Sequence, residues 1–194
     1  MATAPITKRT PATEVRANLL RAGREILERD GVAGLTVRAV AKAAGVAPMG
    51  VYNHFDGKGG LLDALVSDAF DEFAVAIAAT DTDPVDRLTA SGRAYRRFAL
   101  ANPVAYSLMF STACQPDADT AARAFAVLVG IIQYGQAGGV LHAGDPTAMA
   151  IQAWSAVHGA VSLELSAKAL EMGGDPDEIY EGILRFVARG LRRT

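Results

Sequence analysis

Six residues within 36–58 have the types needed to hold a polyanion: Thr36, Arg38, Tyr52, Asn53, His54 and Lys58. Asn53 and His54 offer donors and acceptors suited to base edges or phosphates, and the Tyr52 hydroxyl suits a phosphate oxygen. Pro48 and Met49 are apolar enough to meet a thymine methyl. Thr36, Arg38 and Lys58 fall at expected helix starts, where backbone amides and cations meet phosphate oxygens. Charge along the chain fits that chemistry. Residues 1–60 carry nine Lys and Arg against five Asp and Glu, a net +4, and the remainder carries −6. The total of −2 argues against indiscriminate coating of nucleic acid, whereas a basic head on an acidic body suits a polyanion that meets only the head.

Those residues need helices to position them. Thr36 is a good N-cap, and Val37, Val40, Ala41 and Ala44 then recur at i, i+3, i+4 and i+7, one buried face of a two-turn helix. Gly45 supplies a tight turn, and Pro48 starts a second short helix that turns Val51 and Phe55 inward. Ala47, Pro48, Met49, Gly50, Tyr52, Asn53 and His54 are left outward. Helix, glycine turn and short helix form a helix-turn-helix, whose second helix fits a major groove.

The rest of the chain also reads as helix, with strand alternation nearly absent. Periodic segments run over 16–30, closed by Gly31, over 59–79, over 85–102, and over a short stretch after Pro103. Further helices span 121–136 and 146–170, and the last starts at Asp175-Pro176. Asp83-Pro84, Asp145-Pro146 and Asp175-Pro176 repeat one start signal, a capping acid before a first-turn proline. Residues 112–119 are expected as a polar loop. The fold class is all-α: a three-helix N-terminal unit and a C-terminal helical bundle, about nine helices in all. The expected division is a flexible arm over 1–12 bearing Lys8 and Arg9, a helix-turn-helix unit over 13–60, and a larger unit over 61–194.

"GLTVRAVAKAAGVAPMGVYNHFDGKGGLLDAL" resembles the N-terminal domain of the TetR family of one-component transcriptional regulators. The matched elements are Gly34-Leu35-Thr36, Val40-Ala41, Ala44-Gly45-Val46, Tyr52, His54-Phe55, Lys58 and Leu61-Leu62. The resemblance implies phosphate contacts from Thr36, Tyr52 and Lys58, and base reading by the segment from Ala47 to His54. Ala47 stands where the family often has Ser or Thr, and Pro48 takes over part of the helix-starting role. "AWSAVHGAVSLEL", with Trp154, His158 and Gly159, is similar to a subgroup whose C-terminal domain carries a Trp…His-Gly signature. That resemblance implies a ligand-binding and dimerisation domain, its last two helices forming the interface.

The expected function is a homodimeric, sequence-specific DNA-binding regulator, a repressor released from a palindromic operator by a small hydrophobic or aromatic effector. The expected pocket residues are Tyr95, Phe98, Tyr106, Met109, Phe110, Tyr134, Trp154 and His158, with the His158 ring near Trp154 one turn earlier. The interface stripe is Ile179, Ile183, Leu184, Val187 and Leu191. The alternative is a helical small-molecule-binding protein or enzyme without sequence-selective DNA binding. No catalytic residue, metal or cofactor is expected, because three histidines and one cysteine match no ligand spacing. Cys114 reads as a surface thiol in a loop. With one cysteine, no signal-like run and no apolar stretch long enough to span a bilayer, a cytoplasmic location is expected.

Overall fold

Thr36 begins α2 as its type predicts: its hydroxyl accepts from the Ala39 amide at 3.1 Å. The structure, a computed structural model, describes residues 11–166 and 173–193. Lys8, Arg9 and the 167–170 end of one expected helix lie outside the described residues. Nine helices are found among those described: α1 (Ala12–Gly34), α2 (Val37–Ala43), α3 (Met49–Phe55), α4 (Gly57–Ile77), α5 (Pro84–Ala101), α6 (Pro103–Met109), α7 (Ala118–Ala137), α8 (Pro146–Ser166) and α9 (Pro176–Leu191). One isolated bridge joins Leu141 to Arg192.

The punctuation works by local chemistry. Gly31 interrupts α1 at φ 68°, and Gly45 turns the chain between α2 and α3 at φ 69°. Asp83 accepts from the amides of Val85 and Asp86, Asp145 from Thr147, and Asp175 from Asp177. Two expectations differ. The polar loop expected over 112–119 ends at Asp117, which caps α7 through the Thr120 amide. Cys114, expected at the surface, is buried. The cause is α4: Asp63 accepts from the Gln115 amide at 2.8 Å and the Ser67 hydroxyl from the Asp117 amide at 2.9 Å, drawing the loop down onto that helix.

The long helix α4 joins the two ends of the molecule. Leu61, Leu62 and Leu65 belong with Leu19, Val40, Val51 and Phe55 to a core that continues through Phe70 and Phe73 to Tyr95, Val157 and Leu184. Arg24 of α1 binds Asp68 and Glu72 of α4, and Arg123 of α7 binds Asp71. α6 is tied to α1 as well, where the Ala105 amide donates to Glu28 at 3.3 Å.

Candidate nucleic-acid interface and ligand cavity

Val51 and Phe55 are buried, which fixes α3 against the core and turns its other face out. Met49 is 64% exposed and Tyr52 54%. Thr36, Arg38, Ala47, Pro48, Asn53 and Lys58 are exposed as well, and Gly50 and His54 are half-buried. The ten residues therefore lie along α2, α3 and the first turn of α4, mostly facing outward. Two carry structural contacts besides. The Tyr52 ring lies against Gly57, where a Cβ would come within 3.3 Å of it. The Lys58 ammonium donates to the Val32 carbonyl at 2.9 Å. Arg16, counted only in the charge balance at the sequence level, lies over the Phe55 ring, 5.2 Å from its centroid.

A cavity of about 270 Å³ lies in the C-terminal bundle. α4 contributes Phe70, Phe73 and Ile77 to its wall, and α5 contributes Leu88, Thr89, Ser91, Gly92 and Tyr95. Phe110 follows α6; α7 adds Ala121, Ala124, Phe125 and Leu128; α8 adds Ala153, Trp154 and Val157; α9 adds Leu184 and Val187. Among the described residues, none that is charged lines this wall.

Tyr95, Phe110 and Trp154 of the expected set line the cavity. Tyr106 and His158 stand one step behind, joined to Tyr95. The Tyr95 hydroxyl lies 2.8 Å from His158 Nδ1 and 3.1 Å from the Tyr106 hydroxyl, which is itself 3.0 Å from the same nitrogen. The Trp154 indole N–H donates to the Tyr95 oxygen at 3.3 Å. Burial holds the His158 imidazole below the usual histidine range and raises both tyrosines, with the Tyr106 contact adding to Tyr95. The cluster is therefore neutral near pH 7. His158 packs by Trp154 with ring centroids 5.5 Å apart, and edge-on to Phe110 at 4.7 Å. Phe98 and Met109 lie in the core outside the cavity wall. Tyr134 lies elsewhere, covered by the Arg87 guanidinium at 3.6 Å and donating to the Thr82 carbonyl.

Sequence reasoning did not single out the α4 and α7 walls or Ser91, and it placed Leu184 and Val187 of α9 in the interface stripe and not in a pocket. The helical period over 59–79 was the only signal for the α4 wall, and it does not separate a cavity wall from solid core. Of the expected interface stripe, Leu184, Val187 and Leu191 point into their own chain. Ile179 is 45% exposed, Ile183 is partly buried, and Phe186 joins them outside at 66%.

A family model described as "Bacterial regulatory proteins, tetR family" matches residues 19–65, and one described as "Tetracyclin repressor-like, C-terminal domain" matches residues 88–187. The chain belongs to the TetR family of bacterial transcriptional regulators. It is 31% identical over 116 residues to an HTH-type transcriptional regulator of Mycobacterium tuberculosis, covering 57% of this chain and 50% of that protein. A second HTH-type regulator of that organism is 25% identical over 190 residues, covering 94% and 84%. A solved structure of a protein with unknown function from Rhodococcus sp. RHA1 superposes with a TM-score of 0.81 at 28% identity, covering 98% of this chain and 100% of that one. The chain spans about half the length of the first curated relatives it matches. No described helix is long and apolar enough to cross a membrane.

Proposed function

We propose that this chain is a homodimeric, sequence-specific DNA-binding regulator that represses transcription and leaves its operator when a small apolar molecule fills the cavity. The observation that carries the reading is the outward face of α3, with Met49, Tyr52 and Asn53 exposed on a helix whose other face is buried. A two-fold dimer presents two such helices, so the operator is palindromic, with half-sites roughly 34–36 Å or a multiple apart. Ile179, Ile183 and Phe186 on α9 are the apolar residues assigned to the dimer contact. Residues 13–60 act as the DNA-binding unit and residues 61–194 as the ligand and dimer unit, in the cytoplasm. Because α4 belongs to both packing regions, ligand and operator are coupled through it, and each weakens the other by the same factor.

Selection from a random duplex library with the purified full chain near physiological salt tests this. An enriched palindrome is expected. Folded, dimeric protein that enriches no sequence overturns the reading.

A further inference from the structure

Most polar groups at the cavity already have partners. Tyr95 donates one proton and accepts at two lone pairs. His158, Tyr106 and Trp154 occupy all three. Thr89 donates to the Asp86 carbonyl and accepts from Arg93. Ser91 differs. The residue is 3% exposed and lines the cavity, and no described residue bonds its hydroxyl; since no fully buried side-chain oxygen or nitrogen lacks a partner among the described residues, that hydroxyl opens onto the cavity. A hydroxyl that opens onto the cavity has no protein contact to give up, so a ligand atom that bonds it gains more than one that displaces a satisfied contact.

The charges point the same way. Arg96, the cation one residue past Tyr95, lies outside the wall and is occupied by Glu164 and Asp177. A carboxylate or ammonium carried into this space would find no counter-ion, and an unpaired buried charge is strongly disfavoured.

We infer that the effector is an uncharged, mainly hydrocarbon molecule bearing one hydroxyl or carbonyl oxygen that hydrogen-bonds the Ser91 hydroxyl, with the Tyr95–His158–Tyr106–Trp154 cluster serving as a closed polar wall. This rests on the effector reading above and names the chemical class for that site.

Trp154 is the chain's single tryptophan and lies in the wall, so its fluorescence reports occupancy directly. The full-length protein, free of DNA, is titrated at about pH 8 with 1-decanol, 2-decanone, decanoate and decylammonium. The two neutral probes are expected to bind saturably, and the two ions at least about ten-fold more weakly. Ser91→Ala is expected to weaken both neutral probes about five- to ten-fold, and Ser91→Thr to restore them. Ala124→Phe, which fills the space, is expected to abolish all four signals. Ions that bind as tightly as the neutral probes overturn the class, as does wild-type protein that binds neither neutral probe. Neutral binding unchanged in Ser91→Ala overturns the anchor, and binding that survives Ala124→Phe overturns the location. Operator binding is assayed separately. Its absence with probe binding intact defeats the regulator reading alone, and probe failure with operator binding intact defeats this inference alone.

Discussion

The Lys58 ammonium, at the start of α4, donates to the Val32 carbonyl just beyond the Gly31 break in α1. It satisfies one of the carbonyls that a helix end leaves open, and two of its three protons remain for a phosphate. Lys58→Ala should therefore do two things at once. Operator affinity should fall for every sequence tested, with the slope of log affinity against log salt reduced by about 0.9. The unfolding midpoint should fall too, by the equivalent of about 1 kcal/mol. Binding titrations across salt and thermal unfolding check both, and a salt slope that does not change removes Lys58 from the phosphate contacts.

Met49 and Asn53 face outward on α3 with no side-chain hydrogen bond among the described residues, whereas the Tyr52 ring is held against Gly57. Tyr52→Phe should lower affinity uniformly across operator variants, since it removes one hydroxyl from a fixed ring. Asn53→Ala should instead change the ranking of variants, costing about 1–3 kcal/mol on the preferred base and little on others. Met49→Ala should act in the same selective way on thymine-containing sites. Competition binding on single-base operator variants separates the two patterns.

Gly59 and Gly60 are adjacent in α4 and should respond with opposite signs. A Cβ on Gly60 would come within 1.7 Å of the Phe55 carbonyl oxygen, whereas one on Gly59 meets nothing within 4 Å. Alanine ordinarily favours a helix over glycine by about 1 kcal/mol. Gly59→Ala should thus be neutral or slightly stabilising. Gly60→Ala should destabilise by roughly 2–3 kcal/mol and displace the end of α3, with a loss of operator affinity. Equal midpoints for the two variants would contradict the close α3–α4 approach.

Legibility followed how local the cause was. Thr36, Gly45, Asp83-Pro84 and Asp175-Pro176 act on amides within their own turn, so the elements they bound could be read from residue types. Asp117 was harder, because it sits in a polar run with Asp119 and either acid could have capped α7. Cys114 is buried by Asp63 and Ser67, some fifty residues away in the chain. Residue type cannot report such a contact. The apolar stripe of α9 was visible, but its division was not. Leu184 and Val187 meet the cavity while Ile179 and Phe186 face out, and that depends on how α9 docks on α5 and α8. Ser91 was illegible for the same reason: a serine in an amphipathic helix normally marks the wet face, and here it faces a void.

His158 provides a pH test of the closed polar cluster. Its imidazole is held below the ordinary value by burial. The unfolded chain therefore takes up the proton first as pH falls, from about 6.5. This contribution to stability is complete above that value and is lost as pH falls through the lower folded value. Urea midpoints measured between about pH 7.5 and 5 should decline more steeply for the wild type than for His158→Gln, with the two curves parallel above about pH 7. Parallel curves throughout would mean that protonating His158 does not strain the cluster.

Arg96 makes the densest ionic contact between helices, with a bidentate pair to Glu164 on α8 at 2.7 Å for both bonds and a further contact to Asp177 on α9. The two acids are unequal. Glu164 is half-buried, and Asp177 is in solvent. An exposed partner contributes little, so Asp177→Asn should cost about 0.5 kcal/mol or less. Arg96→Met removes the guanidinium that lies over the Tyr180 ring, 5.2 Å from its centroid, and leaves Glu164 half-buried without its cation, and should cost about 2–3 kcal/mol. Adding Glu164→Gln to Arg96→Met should recover part of that loss, because much of it is the stranded carboxylate and not the lost pair. A double-mutant cycle by urea unfolding measures the coupling. A double variant no more stable than Arg96→Met would assign the cost to the lost guanidinium contact with the Tyr180 ring and not to a stranded carboxylate.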